Sequence, residues 1–340
     1  MPLTSSKHTN SMNWNSKQVL VTGAGGFIGS HLCETLVRTG ANVTAMIHYS
    51  GRSDWGNLEL APVQIKSALK VVAGNIEDTE FVLRQVKGTD VVFHLAALIA
   101  IPYSYAAPRS YITTNVLGTL NVLEAARACN VEKIVHTSTS ETYGTAIYTP
   151  IDEKHPLQGQ SPYAASKIGA DKLAESYYRS FGSPVATIRP FNTFGPRQSA
   201  RAIIPTIIAQ ALAREEIHLG STEPVRDFNF VQDVADAFIK VAESPECVGD
   251  VVNAGSGKGI TIGELATEIL RLIGCDKPIV SEKTRFRPPE SEVFKLICDN
   301  ARIQRLTGWK PAHSLEQGLG KAIEFVSKHM NAYKADQFTI

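Results

Sequence analysis

The chain has 340 residues, 43% of them hydrophobic, and its 34 Lys and Arg against 33 Asp and Glu leave a formal charge of +1. That length suits about two domains with a sizeable core. No basic surplus is present to neutralise a phosphate backbone, which argues against a general nucleic-acid binder. The longest apolar stretch, Val91 to Ile101, is too short to span a bilayer.

Residues 1–16 are polar and lack the apolar segment of a signal peptide, so they read as a loose, flexible extension. The strands expected next are Gln18 to Thr22, Asn42 to Ile47, Leu69 to Ala73, Asp90 to Leu95, Lys133 to Ser138 and Val185 to Arg189. These are short runs of Val, Ile and Leu without apolar/polar alternation, as a sheet covered on both faces requires. Helices are expected between them at Ile28 to Thr39, Thr79 to Val86, Tyr111 to Cys129 and Tyr163 to Phe181. Strand and helix in alternation predict an α/β fold, a Rossmann-type doubly wound parallel sheet.

After Pro190 the rhythm breaks, with Pro and Gly clustered at 190–205 and again at 285–289. A helix at Val231 to Glu243 and a strand at Asp250 to Asn253 still suit the sheet. The expected division is therefore a dinucleotide-binding domain of 17–189 plus 228–253, and a smaller substrate-binding lobe of 190–227 plus 254–335. Five cysteines (Cys33, Cys129, Cys247, Cys275, Cys298) are widely spaced with no C-x-x-C. They read as reduced thiols of a cytoplasmic protein, and no metal site is expected.

The first strand runs directly into Gly23-Ala24-Gly25-Gly26-Phe27-Ile28-Gly29. Gly23, Gly26 and Gly29 form G-x-x-G-x-x-G. Such a turn lets a pyrophosphate approach backbone N–H groups and lets the next helix pack closely on the strand. A glycine turn after a strand is often only a turn, but this one follows the first strand and opens a helix. The second strand ends in Ile47-His48-Tyr49 without the carboxylate that usually holds the ribose of NAD. His48 and Arg52 could face a 2′-phosphate or be solvated loop residues; the reading leans to NADP over NAD.

Strand Lys133 to Ser138 ends in Thr139-Ser140-Glu141, and 24 residues after Thr139 come Tyr163 and Lys167, four apart on one helix face. A phenol with an ordinary pKa near 10 acts as a base at neutral pH only where a cation stabilises its phenolate. An ammonium one turn away can do so. Alone, such a pair is usually a surface coincidence; after a hydroxyl cluster and a glycine turn it reads as catalytic.

These motifs resemble the extended short-chain dehydrogenase/reductases, specifically the nucleotide-sugar epimerases and 4,6-dehydratases. The likeness runs from Val21 to Trp309 through His94-Leu95-Ala96-Ala97, Asn115-Val116-Leu117-Gly118-Thr119, Arg189-Pro190-Phe191-Asn192, Gly195-Pro196-Arg197 and Arg226-Asp227-Phe228. The stretches His94 to Tyr103 and Thr137 to Gly159 are most similar to dehydratases of legionaminic-acid biosynthesis, which act on a nucleotide-linked N-acetylglucosamine. Thr139-Ser140-Glu141 also matches the GDP-mannose 4,6-dehydratases.

The resemblance implies catalysis by Thr139, Ser140, Glu141, Tyr163 and Lys167. It implies cofactor contacts from Phe27, Ile28, Asn75, Ile76, Leu95, Ala96 and Ala97 besides the glycines. It places Asn192, Arg226 and Arg287 at diphosphate-contacting positions, and Arg201 could add charge there or simply be solvated. His94 reads as a packing residue and Asn115 as a backbone brace. Glu141 suits elimination, with a helix-capping carboxylate as the bland alternative; Ser140 is too weak an acid to replace a second carboxyl. The implied reaction converts an NDP-hexose, GDP- or UDP-N-acetylglucosamine, to its 4-keto-6-deoxy sugar with the cofactor regenerated. UDP-glucuronate decarboxylation and 4-epimerisation are the alternatives on this scaffold, and a non-catalytic NAD(P)-binding protein the alternative of another class. A homodimer is implied, built from the helices Tyr111 to Cys129 and Tyr163 to Phe181 as a four-helix bundle.

Overall fold

The structure is a computed structural model that describes residues 12–282, 285–286 and 292–333. Its main sheet has seven parallel strands. We label six of them β1 (Gln18–Thr22), β2 (Asn42–Ile47), β3 (Lys70–Ala73), β4 (Val91–His94), β5 (Lys133–Thr137) and β6 (Val185–Pro190). The seventh, Val251–Ala254, pairs with β6, and the spatial order is Val251–Ala254, β6, β5, β4, β1, β2, β3. The chain thus winds one way from β1 through β3 and the other way from β4, and the switch between β1 and β4 opens a crevice at the carboxyl ends of the strands.

Successive residues of the strands feed opposite layers. Val19, Val21, Val91, Phe93 and Val135 join one core with helix α1 (Phe27–Arg38) and the helix Val231–Glu243. Leu20, Val92 and Ile134 join the other, under the helices Thr79–Val86, Gly118–Ala128 and Pro162–Phe181. Burying each such side chain is worth about 1.5–3 kcal/mol, which explains why these strands carry no polar alternation. A third core unites the helices Ile203–Ala213, Ile262–Ile273 and Leu315–Lys328 with Phe194, Phe228 and Phe230. Its strand Phe228–Phe230 pairs with Asn192–Phe194 rather than with the main sheet.

One expectation needs correction. The end of the supposed loose extension is held: Trp14 is buried against Phe93 with its indole N–H on Glu243 at 2.8 Å, and the Ser16 N–H donates to the Gly40 carbonyl. A Trp can bury its large apolar face here because its one donor finds a carboxylate. The helix expected over Tyr111 to Cys129 is present and continuous from Pro108 to Ala128, and it contains a π-helical stretch at Ile112–Leu117 ahead of the α-helix Gly118–Ala128.

Candidate active site

The glycine turn is shaped by contacts that only hydrogen can tolerate. Gly23 has φ +70°, and a Cβ there would stand 2.8 Å from the Ala96 nitrogen and the Leu95 carbonyl carbon. A Cβ on Gly29 would meet the Gly23 carbonyl oxygen at 2.3 Å, and one on Gly25 would meet the Trp55 carbonyl oxygen at 2.8 Å. Thr22 ties the two sides of the crevice, its Oγ1 accepting from the N–H of Leu95 and Ala96 at 3.1 Å each. α1 then begins at Phe27 with Gly26 as its cap, no capping side chain and no acid in its first turn. A helix start so prepared suits an anion, and this cradle fits the pyrophosphate of a dinucleotide.

The other proposed cofactor positions scatter more. Leu95, Ala96 and Ala97 are half-buried beside the turn, whereas His48, Arg52 and Asn75 are exposed. Ile76 is buried against Gly118. One piece had no sequence signal: the loop bearing Trp55 and Asn57 folds over Gly25, with the Asn57 N–H donating to the Gly25 carbonyl at 2.9 Å. Beside Phe27 a cavity of about 340 Å³ is lined by Phe27, Asn57, Leu60, Ile99, Arg197 and Tyr333, among others. Tyr163 and Glu141 are not among its walls.

The catalytic candidates converge where β5 ends. Thr139 caps the short 3₁₀-helix Ser140–Tyr143, its Oγ1 accepting from the Glu141 N–H at 3.3 Å. Ser140 is buried and Glu141 half-buried. Ser161 caps the helix Pro162–Phe181, accepting from the Ala164 N–H at 3.1 Å, and Pro162 fits the first turn, where no N–H is needed. Tyr163 and Lys167 therefore leave the helix start on one face, and Tyr163 bonds Thr139. Lys167 Nζ donates to the Thr137 carbonyl at 2.6 Å.

The electrostatics differ from a simple picture of cation beside phenol. Burial pushes the Tyr163 phenol well above its ordinary value, the bond with Thr139 pulls it partly back, and the nearby Glu141 raises it again. Burial likewise pushes Lys167 down to about 8, against the opposing pull of Asp171. The protein alone thus keeps Tyr163 protonated.

His94 is a packing residue, with Nδ1 2.8 Å from Thr22 Oγ1 and Nε2 3.0 Å from Thr119 Oγ1. Asn115 sits in the π-helical stretch and braces the backbone. It accepts from the Leu98 N–H at 2.8 Å, donates to the Leu98 carbonyl at 2.9 Å and donates to Ser166 at 2.9 Å. Ser166 in turn donates to the Tyr163 carbonyl.

Of the four substrate candidates, Arg226 is buried, its Nη2 3.4 Å from Glu292 and its Nη1 donating to the Val225 carbonyl. Asn192 holds a buried Oδ1 with no partner among the described residues. Arg201 is exposed yet near enough to lower the Tyr111 phenol, which burial raises. Tyr111 lies edge-on to Tyr163 at 6.2 Å. Arg287 lies outside the described residues. Residues that the sequence reading did not mark are Tyr111, His136, Ser138 and Asp171. The four-residue step from Lys167 to Asp171, repeating that from Tyr163 to Lys167, was the available signal.

A family model described as GDP-mannose 4,6 dehydratase matches residues 20–322. The chain belongs to that family. It is 35% identical to the UDP-glucose 4-epimerase of Mycolicibacterium smegmatis, over 91% of this chain and 98% of that one. It is 32% identical to the dTDP-D-glucose 4,6-dehydratase of Mus musculus, over 94% and 91%. Among solved structures it is similar to DesIV, a dTDP-glucose 4,6-dehydratase from Streptomyces venezuelae with NAD and TYD bound, at 29% identity and a TM-score of 0.84, covering 93% and 99% of the chains. The fold and the short-chain dehydrogenase/reductase character of this nucleotide-sugar enzyme family are thereby established for the chain, while dehydratases and epimerases stand equally near.

Proposed function

We propose that the chain is a nucleotide-sugar 4,6-dehydratase acting on a GDP- or UDP-linked hexose, with N-acetylglucosamine as the sugar. The observation that carries this reading is Glu141, a carboxylate held two residues past Thr139 and close enough to Tyr163 to act on its phenol. An epimerase needs no such group, since it only removes and returns hydrogen at C4. The near epimerase relative is the reason to test that alternative directly.

Gly23, Gly26, Phe27, Ile28 and Gly29 would hold the dinucleotide. We assign NAD. The relative solved with its cofactor carries NAD, and His48 and Arg52, which suggested NADP, are both exposed. When bound, NAD would supply a hydride acceptor for C4 and a hydride donor for C6. Tyr163 accepts the proton of the sugar 4-OH, which Thr139 orients, and Lys167 stabilises the phenolate. Glu141 then removes the C5 proton that the C4 ketone has acidified. The C6 hydroxyl leaves as water, protonated by Glu141 directly or through Ser140, and as hydride returns to C6 the C5 carbon regains a proton that balances the one Tyr163 took from the 4-OH. Asn192 offers its buried oxygen to the substrate, and Arg226, Arg287 and Arg201 offer charge to its diphosphate.

We further propose a homodimer through the helices Tyr111 to Cys129 and Pro162–Phe181, supported by the exposed Ile112 and Leu117 in the π-helical stretch of the first. Leu117→Glu would then give a monomer by light scattering, and an unchanged mass would refute the interface. The activity test is mass spectrometry of products from GDP-, UDP- and dTDP-hexoses, including N-acetylglucosamine and glucuronate forms. Loss of one water without added reductant is expected, and Glu141→Gln should abolish it. Loss of carbon dioxide, or an epimer of unchanged mass, would overturn the reading.

A further inference from the structure

Four consecutive residues at the end of β5 are bonded to one face of the helix Pro162–Phe181. His136 Nε2 lies 3.1 Å from Asp171 Oδ1, and Ser138 Oγ donates to Asp171 Oδ2 at 2.6 Å. Between them the Thr137 carbonyl accepts from Lys167, and beyond them Thr139 bonds Tyr163. Tyr163, Lys167 and Asp171 follow at four-residue steps, so one ridge of the helix is stitched to the strand end residue by residue.

The far side of the Asp171 carboxylate is closed from β6. Arg189 Nη2 donates to Oδ2 at 2.8 Å, and Nη1 donates to the Tyr143 hydroxyl at 2.9 Å. The Tyr143 hydroxyl donates to Asn253 Oδ1 at 2.7 Å, and the Arg189 guanidinium lies 4.9 Å from the Tyr143 ring centre. Tyr143 is the last residue of the 3₁₀-helix that carries Ser140 and Glu141. Asp171 and Arg189 are 5% and 4% exposed. A buried ion pair gains little stability over well-packed apolar residues, because desolvation offsets most of the attraction. What such a pair does supply is fixed directions in space.

We infer that Asp171 is a positioning residue for both halves of the reaction. It sets the register of Tyr163 and Lys167 against Thr139, and through Arg189 and Tyr143 it sets the 3₁₀-helix that aims Glu141. The second half of this inference rests on the dehydratase reading; the first holds for any oxidation at C4.

The experiment uses the full-length enzyme and the nucleotide sugar that the wild type turns over, with Tyr143→Phe and Asp171→Asn. It follows kcat, KM, melting temperature and the absorbance of reduced nicotinamide during turnover. For Tyr143→Phe we expect kcat to fall about tenfold with KM within about twofold, as for a catalytic group misplaced by a fraction of an ångström. Reduced nicotinamide should build up, because oxidation at C4 then outruns elimination. For Asp171→Asn we expect a fall of about a hundredfold in kcat without that build-up, since oxidation itself is slowed. Variants that lose only melting temperature, with wild-type kcat and no build-up, would overturn the inference. Should Asp171→Asn not fold, Ser138→Ala removes one bond to the same carboxylate. A lower kcat at unchanged KM then supports the inference, and a wild-type kcat overturns it. A wild-type enzyme that releases no water defeats the dehydratase reading and the role given to Tyr143, while the effect of Asp171→Asn on cofactor reduction still decides its own half.

Discussion

Gly29 shows how little room the turn allows. An added methyl would lie 2.3 Å from the Gly23 carbonyl oxygen, which is backbone and cannot swing aside. Gly29→Ala is expected to cost about 2 kcal/mol or more and to weaken dinucleotide binding, read by thermal melting and by titration with NAD. Lys167 makes a prediction about pH. Its folded-state value of about 8 lies below the ordinary 10.5, with burial the cause. As a base with a depressed folded value, it penalises folding fully below pH 8, and that penalty fades as pH rises from about 8 to 10.5. In the mechanism we propose, activity runs the other way, since it needs the ammonium. The kcat should decline above pH 8, and Lys167→Met should be inactive at every pH.

At the scale of elements, the helix that carries Tyr163 and Lys167 is started by Ser161 and held in place by Asn115. Ser161→Ala removes the cap on the Ala164 N–H and should cost about 1 kcal/mol by urea denaturation. Asn115 matters more. It satisfies both backbone groups of Leu98 and also holds Ser166. The π-helical stretch around it, Ile112–Leu117, is the kind of local irregularity that turns a side chain toward a site. Asn115→Leu should cost about 1–3 kcal/mol, because it leaves two half-buried backbone groups of Leu98 unpaired, and it should lower kcat through Tyr163. A melting temperature and kcat both like the wild type would show the brace to be dispensable. The periodic apolar pattern of 111–129 announced a helix but not its π-turn, because a π-turn changes which carbonyl each N–H reaches without changing the residues themselves.

Across the whole molecule, the first and third cores meet along α1, where Ile28 packs against both. Arg197 Nη2 pairs with Glu34 at 2.5 Å, both side chains 8% exposed, and His31 Nε2 lies 3.0 Å from the Pro196 carbonyl oxygen. Arg197→Met would leave the buried Glu34 with Arg38, at 2.9 Å, as its remaining cation and should cost about 1.5–3 kcal/mol in denaturant titration. Burial, then the Arg197 charge, lowers His31 to about 4, and burial also lowers His94 and His136. Each takes up its proton more readily unfolded than folded. Stability from these groups is therefore full above about pH 6.5 and is lost as pH falls from there, toward about 4 for His31. His31→Gln should flatten the decline over that window when urea midpoints are compared; an equally steep decline would remove His31 from the account.

The alternation of strand and helix, the glycine turn and the Tyr163 and Lys167 pair were legible in the residues, because each depends on neighbours within a turn or a strand, while Thr139 was marked by its motif at the strand end. Contiguous apolar runs dictate a sheet buried on both faces, and a four-residue step puts two side chains on one ridge whatever the rest of the chain does. Tertiary structure alone decided that Trp14 is anchored 229 positions away on Glu243, that Arg226 stands against Glu292 and not open to solvent, and that Asp171 gathers His136, Ser138 and Arg189. It also decided that burial, more than the neighbouring ammonium, governs Tyr163. The physical reason is the same in each case: which charges lose their water, and which partner then compensates them, depends on segments brought together only when the sheet closes.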